Sequence, residues 1–156
     1  MTFTLQASPV TLPLRFAHLT DTHIGDGGNY PQPAELGTGE RLSTLLTKIV
    51  EDQPDLHSAI ITGDLTDHGL REQYREFREA IFDTPIPVHV IPGNHDHMTE
   101  QTSDVVSRNG YAIHSGEPRH YEAFLGPRWY SYDLPALHVV AIDWFTHELG
   151  RDHEQQ

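Results

Sequence analysis

An α/β fold is predicted by three features of the sequence. Short apolar runs alternate with segments of helical period, the pattern of a parallel sheet with crossover helices. Three of those runs lead straight into polar clusters rich in Asp, His, Asn and Gly, at the strand ends where open parallel sheets bind their ligands. The length of 156 residues is that of about one domain, and 37 % hydrophobic with 21 % charged residues is a globular composition.

Each element has its own signal. Leu14 to Leu19 is an apolar run read as a strand, and Gly25 to Gly37, rich in Gly, Pro and Asn, is read as a long loop. Leu42, Leu45, Leu46, Ile49 and Val50 fall at i, i+3, i+4, i+7 and i+8, one apolar helical stripe that Pro54 brings to an end. Ser58 to Thr62 is a continuous strand of buried type. After a turn at Gly69, the residues Leu70, Tyr74, Phe77 and Ile81 keep helical spacing. Arg71, Arg75 and Arg78 lie beside Glu72, Glu76 and Glu79 as a solvated face of that helix. Val88 to Ile91 is a third strand and Met98 to Ser107 a helix. Trp129 to Leu134 and His138 to Ile142 form a strand pair about a turn at Pro135. His18 and His89, inside strands, are expected to pack there.

Composition excludes several functions. Ten Lys and Arg against 23 Asp and Glu give a net charge of −13, with no basic cluster, so bulk nucleic-acid binding is disfavoured. The absence of cysteine excludes a disulfide framework, a thiolate metal site and a thiol nucleophile. No apolar stretch is long enough for a signal peptide or a membrane span, so no membrane partner is expected and the cytoplasm is the expected location. Twelve histidines beside those carboxylates supply the ligand types that borderline and hard metals prefer.

The polar clusters are Asp21-Thr22-His23, then Gly63-Asp64-Leu65-Thr66-Asp67-His68-Gly69, then Gly93-Asn94-His95-Asp96. At the carboxyl edge of one parallel sheet they converge, although far apart in sequence. On an extended segment Asp21 and His23, at i and i+2, point the same way and can grip one ion. Asp64 has two oxygens and can bridge two ions. Paired ions about 3.5 to 4 Å apart are a recurrent device for phosphoester hydrolysis. Glycines 63 and 93 allow the backbone to turn sharply beneath such a site.

With these motifs in this order, the chain from about Leu14 to Asp143 resembles the calcineurin-like metallophosphoesterases. Asp67-His68-Gly69 and Asn94-His95-Asp96 stand where the protein Ser/Thr phosphatases carry Asp-Arg-Gly and Asn-His-Glu. The chain is therefore similar to the bacterial phosphodiesterase and phosphatase branch with its cyclic-nucleotide phosphodiesterase-like members, as are the blocks Gly126 to Tyr132 and Leu137 to Asp143. The resemblance implies an α/β/β/α sandwich and two transition-metal ions, drawn from manganese, iron and zinc. Asp21 and His23 would ligate the first metal, Asp64 would bridge both, and Asn94 would ligate the second. His95 would stabilise the transferring phosphoryl group or protonate the leaving oxygen. Asp67 would hydrogen-bond the other nitrogen of that ring, and Asp96 would fix the turn. The implied reaction is hydrolysis of a small phosphomonoester or phosphodiester, nucleotides among them, by attack of a metal-bridging hydroxide.

The family supplies further histidines, one after a later strand and then a Gly-His-x-His motif, and neither appears between Asp143 and Gln156. Residues 1–156 are thus expected to form one domain truncated after the first sheet and its helices. Two outcomes follow: a working dinuclear hydrolase, or an inactive fragment that folds or associates without turnover. Exposure of Val139, Val140 and Ile142 would favour a homo-oligomer. His97, His114, His120, His138 and His147 are candidates to replace missing ligands, against the commoner solvated or core role of such residues.

Overall fold

Alternate residues of the apolar runs decide which face of the sheet is covered, and the computed structural model, which describes residues 13–25, 37–97 and 119–143, shows this directly. The elements are β1 (Phe16–Thr20), α1 (Thr38–Asp52), β2 (Ser58–Thr62), α2 (Arg71–Phe82), β3 (Val88–Ile91), a 3-10 turn at His95–His97, α3 (Arg119–Leu125), β4 (Tyr130–Leu134) and β5 (Leu137–Ala141). The second and third strands fall where the apolar runs place them. The first begins at Phe16 and takes in Thr20. α1 ends two residues before Pro54, because a proline lacks the amide hydrogen and disfavours helical backbone in the residue before it.

Among the described residues β1, β2 and β3 form a parallel sheet in that order, and β4 and β5 an antiparallel pair. Ala17 lies beside Ala59 and Ala59 beside Val88; Leu19 lies beside Ile61 and Ile61 beside Val90. These rows carry the core, closed by Leu42 and Leu46 of α1, by Tyr74, Phe77 and Ala80 of α2, and by Tyr121 of α3. Each large side chain so buried contributes about 1.5 to 3 kcal/mol. The opposite face is more open, with Phe16, His18 and Thr20 exposed. His18 is not packed in the core; its Nε2 lies 2.7 Å from Thr62 Oγ1. His89 does pack, stacked on Tyr132 of β4 with ring centroids 3.4 Å apart, and burial lowers its pKa from the usual 6.5.

Three further features differ from the sequence expectation. Leu45, on the predicted core stripe, is 47 % exposed and lines an opening together with Asp21 and His23. Glu76 is no solvated residue: its Oε1 accepts the Gly39 amide at 2.8 Å and lies 3.4 Å from Thr38 Oγ1. α1 has only Gly37 at its N-cap and no side-chain cap of its own, so a carboxylate from α2 satisfies its first turn and meets the positive end of its dipole. Finally, α3 was not expected. It delivers the fully buried Tyr121, whose hydroxyl donates to the Val90 carbonyl at 2.9 Å.

The Tyr130 hydroxyl accepts the Val90 amide at 2.9 Å and donates to the Val90 carbonyl at 2.7 Å. Tyrosines thus satisfy the outer edge of β3, where unpaired backbone groups are costly. Val140 and Ile142 are exposed and Val139 is half-buried. No helix among the described residues is long and apolar enough to cross a membrane. The expected helix at 98–107, His114 and His147 lie outside the described residues.

Candidate metal centre

The loops leaving β1 and β2 stay paired beyond the strand ends. The Asp21 amide donates to Gly63 O (3.1 Å), His23 to Asp64 O (2.9 Å), Ile24 to Leu65 O (3.0 Å) and Asp67 to Ile24 O (3.0 Å). The Gly63 amide reaches Ile91 O at 3.0 Å and ties in the end of β3. This ladder fixes the Asp21-x-His23 and Asp64 segments against each other before any side chain acts.

The backbone under the acidic groups is unusual. Asp21 (φ 56°), His23 (φ 41°) and Asp64 (φ 48°) are all left-handed, as is Gly63 at φ 76°. Such backbone costs of order 1 to 3 kcal/mol per non-glycine residue and clusters at functional sites. Asp21 and His23 are therefore not on an extended segment, as the sequence suggests. Their side chains converge because both residues turn. Gly93 has another role: a Cβ there would collide with the Asp64 amide nitrogen and Oδ1, and would lie 2.9 Å from Gly63 Cα. A glycine at 93 is what lets the third loop close onto the second.

Asp96 holds this arrangement from below. It is 1 % exposed. Its Oδ2 accepts the amides of Leu65 and Gly93, both at 2.9 Å. Its Oδ1 accepts the Thr66 amide at 3.1 Å, the Thr66 hydroxyl at 3.0 Å and the Tyr74 hydroxyl at 2.9 Å. Burial pushes this carboxyl upward, and the hydrogen bonds oppose the rise. The turn-fixing role expected of Asp96 is therefore the smaller part of what it does, since it also grips the loop of Asp64.

Above it, Asp64 Oδ1 accepts the His95 amide at 2.9 Å, and Asp64 Oδ2 lies 3.8 Å from His23 Nε2. Asp21 Oδ1 lies at 3.8 Å from the same nitrogen. His23 Nδ1 meets Asp67 Oδ1 at 3.2 Å. The His23 and His95 rings stand edge to face, 4.7 Å apart. The expected contact from Asp67 to His95 exists, but it runs through the Asp67 peptide carbonyl, 2.7 Å from His95 Nδ1. The Asp67 carboxylate is 3.8 Å away from that nitrogen and serves His23 instead. Since a carbonyl only accepts, Nδ1 of His95 carries the proton and Nε2 is the basic nitrogen of the neutral ring. Asn94 follows β3, and its carbonyl accepts the His97 amide at 3.2 Å.

Two donor groups emerge, Asp21 with His23 and Asp64, and His23 with Asp67 and His95, each able to place its ligand atoms within 4.8 Å of one another. The 3.8 Å separations from His23 Nε2 exceed a hydrogen bond. They suit an ion lying about 2.1 Å from each ligand atom. A histidine whose far nitrogen is held by a carboxylate is the usual support of a ligating imidazole. The donors therefore fit a metal.

His97 belongs elsewhere. It is 1 % exposed, with Nε2 3.1 Å from the buried Asp143, and Asp143 also accepts from Arg128 Nη1 at 3.0 Å. Arg128 in turn donates to Glu122 and covers the Trp129 ring. This network ties the turn bearing His95 to the end of β5. No spacing rule connects His97 with Asp143, 46 residues away, so the sequence carried no signal for it. His138 is an exposed partner of Asp133, and His120 lies on α3 outside both donor groups.

Taken together, these features define an α/β protein with a cluster of oxygen and nitrogen donors at the carboxyl edge of its parallel sheet. Residues 14–152 match the calcineurin-like phosphoesterase family, and the chain belongs to it. It is 27 % identical over 132 residues to a probable cyclic nucleotide phosphodiesterase of Fibrobacter succinogenes, covering 83 % of this chain and 44 % of that protein. It is 29 % identical over 85 residues to a 3',5'-cyclic-nucleotide phosphodiesterase of a Nostoc species (54 % and 32 %). Over 78 residues it is 35 % identical to a probable glycerophosphodiester phosphodiesterase of Arcobacter nitrofigilis (50 % and 28 %). The chain thus spans less than half the length of each of these relatives. A purple acid phosphatase from seeds of yellow lupin, Lupinus luteus, shares the fold with a TM-score of 0.50 at 20 % identity, covering 84 % of this chain and 25 % of that one.

Proposed function

We propose that this chain carries ligands of a dinuclear metal centre that hydrolyses small phosphodiesters, cyclic nucleotides among them. Asp21, His23, Asp64 and Asn94 would hold the ions, Asp64 serving both. The observation that carries the reading is the setting of Asp64: one oxygen is anchored by the His95 amide, the other is turned toward His23 Nε2, and its backbone is held in a strained conformation. The mixed imidazole and carboxylate set favours manganese, iron or zinc over magnesium. When bound, such ions supply positive charge to phosphoryl oxygens and lower the pKa of a coordinated water.

The chain's own groups do the rest. His95, with Nδ1–H donated to the Asp67 carbonyl, takes a proton from water at Nε2 and passes it to the leaving oxygen. The Asp67 carboxylate orients His23. A chain with a net charge of −13 does not attract polyanions, which agrees with a small substrate and with the cyclic-nucleotide and glycerophosphodiester activities for which the relatives are named. Calorimetric titration of the chain with manganese tests the reading. Asp64→Ala should lower both stoichiometry and affinity; unchanged binding removes the bridging role. His95→Ala should keep the metal while turnover of a phosphodiester falls by about 10² to 10⁴, and loss of metal instead would make His95 a ligand.

A further inference from the structure

A cavity of about 320 Å³ opens beside the candidate metal centre, and its lining brings Asp21 and His23 together with Thr38, Arg41, Leu42 and Leu45 of α1. Its walls are fixed to one another. The Thr38 hydroxyl accepts the Gly25 amide and donates to the Gly25 carbonyl, both at 2.9 Å, while Glu76 holds the Gly39 amide. The first turn of α1 is thereby fastened to the loop that carries the Asp21-x-His23 pair.

Two of the lining residues present exposed side chains to the cavity. Leu45 leaves the core stripe and is 47 % exposed on the cavity wall. Arg41 is exposed and has no ion pair among the described residues, in a chain where 23 acidic residues face 10 basic ones. Arg71, Arg75 and Arg78 of α2 have no ion pair among the described residues either, and Arg41 differs from them in lining the cavity beside Asp21 and His23. An arginine on the wall of a cavity that also holds metal-type donors is placed for an anion that arrives with the ligand. Its planar fork of N–H donors matches two phosphoryl oxygens at once. The cavity lies at the small end of the range for organic ligands, enough for one compact group.

We infer that this cavity is the ester subsite, in which Arg41 takes an anionic phosphoryl oxygen and Leu45, with the edge of Leu42, receives an organic group of about nucleoside size. The inference rests on the phosphoesterase reading above. Calorimetry on the manganese-loaded chain, with adenosine 5'-monophosphate and inorganic phosphate as probes, tests it. Arg41→Ala should weaken both probes by about tenfold or more, the usual loss for a charge-assisted hydrogen bond. Arg41→Lys should restore part of the affinity, and manganese affinity should not move in either variant. Leu45→Ser should weaken the nucleotide and leave phosphate unaffected. A wild-type chain that binds manganese and phosphate, with Arg41→Ala binding phosphate equally well, overturns the subsite alone. So does a manganese-loaded wild type that binds neither probe. A wild type that takes up no manganese refutes the phosphoesterase reading and the subsite with it.

Discussion

Replacing Asp96 by alanine should be among the most damaging single changes in the chain. The carboxylate is the common acceptor for the amides of Leu65, Thr66 and Gly93 and for the hydroxyls of Thr66 and Tyr74. Hydroxyls can rotate to other partners, but the amides are fixed by the backbone. An amide left buried without an acceptor costs about 1 to 3 kcal/mol. Relief of the carboxylate's own desolvation offsets part of this, since burial already pushes its pKa upward, and water can enter the space vacated. The net loss is about 3 to 5 kcal/mol, the range for breaking a buried charged network, against a total stability of order 5 to 15 kcal/mol. Urea denaturation followed by circular dichroism measures it directly, and a drop of order 10 °C in Tm should accompany it. Manganese affinity should also fall, because the amides of Leu65 and Gly93 position the loops of Asp64 and Asn94. Asp96→Asn keeps the size but turns an NH2 group toward donors, and should fall between alanine and wild type. If Asp96→Ala unfolds within about 1 kcal/mol of wild type, less than one orphaned amide should cost, the strut assigned to Asp96 does not exist.

Two further outcomes are expected. Gly93→Ala places a Cβ against the Asp64 backbone and carboxylate. It should destabilise the fold by about 2 kcal/mol or more by overpacking and weaken manganese binding, so a variant with wild-type metal affinity would show that the second and third loops do not meet as described. His89 has a folded pKa below its unfolded 6.5, so between those values the unfolded chain holds the extra proton. Its contribution is complete above about pH 6.5 and is lost as pH falls through 6.5 toward the lowered value. His89→Gln should narrow the gap in urea midpoint between pH 7.5 and pH 5.5, and an unchanged gap would assign the pH dependence to other groups.

Where periodicity and burial coincide, the sequence was readable. β2 reads as a continuous apolar run and β3 as an apolar run interrupted only by His89, and α1 and α2 present apolar stripes to the core. The arrival of the polar clusters at the strand ends followed from the parallel topology alone. α3 left no such trace, because its stabilising residue is one tyrosine that packs and hydrogen-bonds the edge of β3. An i, i+3, i+4 count does not register a single anchor. Glu76 was misplaced for a related reason. Charged residues on a helix surface look alike in sequence, and only the approach of α1 distinguishes a cap from a solvated glutamate.

The site shows the same boundary between composition and geometry. Its donor residues could be named from three short motifs, because the residue types are dictated by the chemistry. How they meet could not, because the convergence of Asp21 and His23 depends on left-handed backbone at both, a conformation that stays uncommon even for Asp and His, the non-glycine types in which it is enriched. The backbone is held there by pairing between two loops some 40 residues apart, whose amides and carbonyls belong to any sequence. The division of labour inverts for the same reason. Asp67 reaches His95 through a peptide carbonyl and gives its carboxylate to His23, while Asp96, beside the catalytic candidate, turns inward to hold both loops. A side chain's role at this site therefore follows from which loop it faces. Exchanging Asp67 for asparagine should disturb His23 more than His95, a difference that the NMR chemical shifts of the two rings at one pH can read; equal changes in both would refute it.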